Sequence, residues 1–360
     1  MLYLQYVALE VKLPNRLIWR RHDPGSQAYF EEAKQLARSQ RGVLSGTPGT
    51  LKQRTQSGNQ YWIREYIRAD GRKTDEYLGP VAALDKATVA GASQKIELAK
   101  ALVAGSRRLR LLGYQRIDKK PSAVLAVLFN MGLFKAGITL VGSHAYGVLL
   151  NDMGVIAPSY KTQDLDLARG ERLAIALPAG STFQSLLRDT GLNFVPIPGT
   201  PSDKPSFSFK LPGADIFAVD LLAPGEKIGA VVPVPELGAH AQAIPLLDFL
   251  IADAMDSVAV SSHHIIPVRV PSPERFALHK IYSSQSRSRG GSGKVGKDLE
   301  QAAVLAAAVE EQTPGRLVDA FKAMPKSGKP AVKRGCPAVI RLLGASHPEA
   351  LEALVRIAAR

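Results

Sequence analysis

Three aspartates and one Gly-Ser dipeptide are the residues of this 360-residue chain best placed to do chemistry. Asp164 and Asp166 flank Leu165 in an extended run from Thr162 to Ala168. Side chains alternate faces along a strand, so the two carboxylates leave one side while Leu165 and Leu167 enter the core. Like charges held that close repel each other unless a cation sits between them. A hard divalent ion with oxygen ligands, Mg2+ before any other, suits such a pair. Asp220 lies in IFAVDLL, Ile216 to Leu222, which is apolar at almost every other position. One acid in a central apolar strand needs a partner or a metal. Gly142-Ser143 ends a short apolar strand, Ile138 to Val141, and precedes an amphipathic segment from Ala145 to Met153.

Gly-Ser after one strand, two acids on a second and one on a third form a pattern that resembles the nucleotidyltransferase superfamily, whose best-known member is DNA polymerase β. The resemblance implies that Gly142 and Ser143 hold a nucleoside triphosphate such as ATP. It also implies that Asp164 and Asp166 hold Mg2+ (or Mn2+) and that Asp220 completes the metal site. The interval from Ser143 to Asp164 is longer than in compact members, because a loop from Gly154 to Lys161 intervenes. Abortive-infection nucleotidyltransferase toxins tolerate that length, so the resemblance narrows toward their branch. In that branch a lysine-bearing helix and a following Lys-Asp motif complete the site, and the matching positions are Lys280, Lys297 and Asp298. The resemblance covers roughly Ser122 to Glu310. It implies transfer of a nucleoside monophosphate onto a hydroxyl or phosphate acceptor, with RNA, a tRNA end, as the family-based acceptor. A protein hydroxyl or a small molecule is a further acceptor class, and an antitoxin or a second copy of the chain a further partner. The reading from a different class is a nucleic-acid-binding protein on an inactive nucleotidyltransferase scaffold. Three acids that repel one another without a metal speak against it.

Composition sets the outer limits. With 46% hydrophobic and 22% charged residues, the chain is neither disordered nor membrane-embedded in character. A net charge of +14 favours a polyanionic partner, nucleic acid or nucleotide phosphates. The one cysteine, Cys336, excludes an intramolecular disulfide and a cysteine-rich metal site. The longest apolar stretch, around Ala123 to Val141, is broken by Asn130 and Lys135 and is too short to span a bilayer. The first residues lack a basic segment and a cleavage site, which predicts a cytoplasmic protein.

The elements that must position the acids follow from pattern. The expected class is α+β: a mixed-sheet core with flanking helices, a small N-terminal antiparallel meander and a C-terminal helical bundle. Expected units are residues 1–80, a helical linker 81–121, the core 122–270 and the helical domain 271–360. A helix spans Ser26 to Ser39. From Thr50 to Leu78 the period changes to two, with turns at Ser57-Gly58-Asn59 and Asp70-Gly71, which predicts three antiparallel strands. In the middle strand Tyr61, Ile63 and Ile67 share one face, and Trp62, Arg64, Tyr66 and Arg68 share the other. An aromatic-basic face can stack bases and pair with phosphates; a sheet packed on both sides with solvated arginines is the alternative. The stretch is also similar to small sheet modules that precede some phage-type integrases. Helices follow at Ala83 to Leu112, whose basic end holds Arg107, Arg108 and Arg110, and at Ser122 to Lys135. The core continues with a strand Leu173 to Leu177, a helix Ser181 to Asp189 and a Pro-rich loop Val195 to Pro205. Strands Ser206 to Leu211 and Ile216 to Leu222 should pair antiparallel across the tight Pro212 to Asp215 connection. His263 and His264 precede a strand and, being adjacent, point to opposite faces. Pro273 opens a helix with Ser272 as cap. A mobile Ser/Gly/Arg loop is expected from Ser283 to Gly296, with Arg287 and Arg289 available to close over phosphates. The next helix is expected to start at Lys297-Asp298, where Asp298 also suits the positive end of the helix.

Overall fold

The computed structural model of the protein describes residues 17–158, 162–170, 173, 181–198, 205–213, 216–286 and 292–359. Strand β1 (Arg20–Arg21) leads into helix α1 (Pro24–Arg38), where Asp23 accepts from the Ser26 N–H at 3.0 Å. Pro24 starts that helix two residues before the expected Ser26, because a first turn does not need the missing N–H. Strands β2 (Thr50–Gln56), β3 (Asn59–Ile67) and β4 (Lys73–Pro80) form the expected antiparallel meander. Helix α2 (Lys86–Leu111) is capped by Asp85. Helix α3 (Lys119–Asn130) begins before the expected Ser122, since Pro121 fits within its first turn.

The centre is a mixed sheet. Its elements begin with β5 (Thr139–Leu140), helix α4 (Gly142–Asp152), β6 (Val155–Ile156), which pairs with β1, and β7 (Asp164–Ala168). Helix α5 (Phe183–Arg188), β8 (Val195–Pro196), β9 (Ser208–Lys210), β10 (Ala218–Pro224), β11 (Val231–Val234) and β12 (Ala239–Ile244) complete it. The strand order is β11-β12-β10-β7-β5, with β9 on the first part of β10 and β8 beyond it. β10 runs parallel to β7 and β12, and antiparallel to β9 as the tight connection predicts. The strand expected at Leu173 to Leu177 lies, apart from Leu173, outside the described residues.

After helix α6 (Leu247–Ile251), strands β13 (Met255–Val260) and β14 (Ile265–Val270) form a hairpin of their own, with His263 and His264 in its connection. The sequence suggests only one strand there. Helices α7 (Pro273–Ser286) and α8 (Ser292–Gln312) pack along each other. Helices α9 (Arg316–Ala323), α10 (Lys329–Leu343) and α11 (Pro348–Ala359) pack against that pair as the expected bundle. Here two expectations need correction. α7 continues to Ser286 and α8 already begins at Ser292, so most of the Ser283 to Gly296 loop is helix. Its remainder, residues 287–291 with Arg287 and Arg289, lies outside the described residues. Gly293 and Gly296 are poor helix formers, but Ala302 to Val309 are buried, and packing of those later turns carries the whole segment. Asp298 therefore sits in the second turn of α8, away from the helix start.

One apolar cluster runs from Trp19 to Ile357 and joins the sheet, α3, α4 and the C-terminal helices. A second joins α1 and α2 to the β13–β14 hairpin. Cys336 is a buried free thiol. No helix of the described residues is long and apolar enough to cross a membrane. The fold class is α+β, as expected.

Candidate active site

Alternation along DLDLA buries Leu165 and Leu167 and turns Asp164 and Asp166 to the opposite face of β7. β10 does the same, with Val219 and Leu221 buried and Asp220 on the opposite face. In the parallel register Asp220 is the direct partner of Asp166, and Asp164 lies opposite Ala218. Direct partners project from one face of a sheet, so the three carboxylates share it. Burial pushes the Asp166 carboxyl up to about 7, with the charge of Asp220 adding to the effect and Lys280 opposing it. Burial also raises Asp220, against a hydrogen bond from Ser208. The Asp220 Oδ1 is buried and has no hydrogen-bond partner.

Gly142 closes one side of the cluster. It holds φ at +66°, and a Cβ there would overlap the Asp166 carboxylate, so only glycine fits. The Val141 N–H donates to the Asp166 carbonyl at 3.0 Å, which fixes the start of α4 beside the acids. Ser143 follows in the first turn, where helix N–H groups are unsatisfied from within the helix.

The opposite wall comes from α7 and α8. Lys280 donates to Asp298 at 2.8 Å and rests over the Phe276 ring at 5.3 Å. Both partners of that ion pair are largely withdrawn from solvent. Lys297 is held below its ordinary value by burial and by the charge of Lys280. All eight residues expected at the nucleotide and metal sites line one cavity of about 420 Å³. The rest of the lining is mixed: an apolar patch of Leu222, Ile228, Ile244, Leu247 and Leu250 with Tyr282, and the polar Thr162, Gln242, His279 and Lys294. Sequence reading missed Gln242, Ile244, Leu247 and Leu250, because β12 and α6 carry no motif and reach the acids only through the fold. The donor set is oxygen, mutually repelling and incompletely hydrogen-bonded, which suits a hard cation. Among the described residues, no three His, Cys, Asp or Glu side chains are gathered closely enough to enclose an ion as they stand.

The meander is elsewhere. None of Trp62, Arg64, Tyr66 and Arg68 lines the cavity. The expected free cation at Arg64 is a correction: its side chain is 3% exposed and bonds Glu76 at 2.7 Å and the Thr47 and Ser45 carbonyls at 3.0 and 3.1 Å. It also stacks on Tyr66 at 3.9 Å. Arg68 donates to the Gly191 carbonyl, and Trp62 is half-buried. The loop before β2 folds over this face, with Gly46 and Gly49 against Tyr66, which period-two alternation alone does not reveal.

No curated protein and no solved structure matches the chain. A family model described as nucleotidyltransferase matches residues 119–325, from the start of α3 to just beyond α9. That span is more than half of the chain and contains every residue of the acid and lysine walls, while the meander lies outside it. The protein belongs to this nucleotidyltransferase family.

Proposed function

We propose that the protein transfers a nucleoside monophosphate from a nucleoside triphosphate to an RNA end, using Mg2+ or Mn2+ held by Asp164, Asp166 and Asp220. The observation that carries this reading is the register of Asp166 opposite Asp220 under the Gly142 backbone, with one buried Asp220 oxygen left unpartnered. When bound, the cation supplies charge neutralisation on the polyphosphate and its leaving pyrophosphate. The N–H groups at the start of α4 and the Ser143 hydroxyl bind triphosphate oxygens. Lys280 and Lys297 add positive charge from the helical wall. The apolar wall around Ile228 and Tyr282 takes the base and excludes water from the reacting phosphate. Asp220 lies nearest the acceptor and helps take its proton. RNA is favoured as acceptor by the net charge of +14; a toxin-type role with a cognate antitoxin extends the same reading.

The test is transfer of label from α-phosphate-labelled nucleoside triphosphates to total RNA, protein and small molecules, with and without Mg2+. Label on RNA that needs Mg2+ and disappears in Asp164→Ala supports the reading. Label on protein alone would replace the acceptor, and transfer that persists in EDTA would remove the cation.

A further inference from the structure

A second pocket of about 180 Å³ adjoins the candidate active site, and Ser143 and Thr162 line both. Its other walls include Arg116, Asp118 and His144. His144 is on the first turn of α4, is 9% exposed, and its Nε2 is buried with no hydrogen-bond partner. Burial drives His144 down to about 4, so the ring is neutral at physiological pH and can donate to or accept from an uncharged polar group. Asp118, at the head of α3, makes no cap hydrogen bond, which leaves its carboxylate for the pocket.

Cations gather beside this pocket, and Arg116 is the one among them that lines it. Arg107 and Arg110 are exposed at the end of α2, and Arg116 and Lys119 are exposed where the chain turns into α3. Arg116 feels the repulsion of Arg110, and His263 is held down by burial and then by Lys119, Arg107 and Arg116. None of the four cations is ion-paired among the described residues. The neighbouring Arg108 differs, since its guanidinium stacks on Tyr29 at 4.4 Å. The frame beneath is rigid: Ile117 N–H donates to the Val260 carbonyl at 2.8 Å, and the Ser122 and Ser261 hydroxyls bond at 2.8 Å. The charge of Asp118 offsets part of the repulsion at Arg116, and the four cations still leave a net positive patch that a polyanion would neutralise.

We infer that Arg107, Arg110, Arg116 and Lys119 form the docking strip for the phosphate backbone of a single-stranded RNA, with the second pocket taking one of its nucleosides against His144 and Asp118. The inference rests on the RNA-acceptor reading above and moves RNA recognition from the meander to the junction of α2 and α3. The second pocket abuts the transfer site through Ser143 and Thr162, and Arg116 belongs to both pocket and strip, so a strand held there lies beside the bound nucleotide.

The experiment measures anisotropy of a fluorescein-labelled single-stranded RNA 20-mer on the full chain, without nucleoside triphosphate, across a salt series. Changing Arg107, Arg110, Arg116 and Lys119 together to Ala should weaken binding at least tenfold. It should also flatten the slope of log affinity against log salt by about 0.7 for each phosphate left without its cation. His144→Gln should leave the slope unchanged and weaken binding a few-fold. Changing Lys52, Arg54 and Lys73 on the meander to Ala should change neither. Wild-type RNA affinity in the quadruple variant, with an unchanged melting temperature, overturns the inference. So does loss of ATP binding in place of RNA binding, which would give the pocket to the triphosphate tail. Binding through the strip by a protein that transfers no label would instead overturn the transferase reading and leave the strip standing.

Discussion

Two strand pairs in this molecule place one charge directly across from another, and they do opposite things with it. On β7 and β10, Asp166 faces Asp220, like against like. On β3 and β4, Arg64 faces Glu76, opposite against opposite. In the first pair burial, with the charge of Asp220 adding to it, raises Asp166 to about 7, and one buried Asp220 oxygen is left unpartnered. Beside the second, Lys52 and Lys73 hold the Glu65 carboxyl down at about 2. A charge completed by its own fold is structural, and a charge that the fold leaves in conflict awaits a ligand. That distinction separates the cavity from the meander, although both present charged side chains from paired strands.

The largest break in this contrast should come from Asp166→Asn. Removing one charge-organising group should cost transfer roughly 10³-fold or more. The same change relieves repulsion, so stability in EDTA should rise, measured by urea denaturation. Retained transfer, or a less stable metal-free protein, would show that Asp166 is satisfied within the fold. Arg64→Met should behave in the reverse sense. It strands Glu76 and the Ser45, Thr47 and Pro48 carbonyls, and should lower stability by about 2–3 kcal/mol, below the range for a fully buried pair because Glu76 is half exposed. Activity per folded molecule should not change. An Arg64→Met protein as stable as wild type but with weakened RNA affinity would return Arg64 to recognition.

Lys280 stands between the two cases, since it is ion-paired to Asp298 and still lines the cavity. Lys280→Met should raise KM for the nucleotide about tenfold, as expected for removing one charge-assisted hydrogen bond worth about 1.4 kcal/mol. It should also destabilise the protein, because Asp298 is left buried, and Asp298→Asn in the same chain should restore stability without restoring KM. If KM is unchanged in the single variant, the pair is only a clamp between α7 and α8.

What the sequence reveals of this arrangement depends on the range of the interaction. Asp164, Asp166 and Asp220 stand out because alternation with buried Leu and Val is local, and the apolar neighbours of Asp220 leave few other roles for it. Which residue faces Asp166 or Arg64 across a strand is decided by sheet register, and no local pattern encodes it. The face of β3 is therefore legible as aromatic and basic, while its cover by the loop at Gly46 and Gly49 is not. The start of α8 is hidden for a related reason: Ser292, Gly293 and Gly296 look like a loop until the burial of Ala302 to Val309 is known.

The smallest expected effect compares two carboxylates through pH. Asp166 has a folded value near 7, above its ordinary 3.8, so between those limits the folded state binds more protons than the unfolded one. Stability in EDTA should fall as pH rises through that window, because the unfolded chain ionises more readily there. Glu65 has a folded value near 2, below its ordinary 4.5. Between those limits the unfolded chain binds more protons, so stability should fall as pH drops toward 2. Glu65 is solvent-screened, and its share of the pH dependence should be much the smaller. Urea midpoints at closely spaced pH values would resolve both against single variants. Asp166→Asn should remove the decline between about pH 4 and 7 and leave the acid limb. Glu65→Gln should trim only the acid limb. If Asp166→Asn leaves the neutral limb in place, the conflict between Asp166 and Asp220 is already relieved inside the fold, and the contrast between the two strand pairs loses its basis.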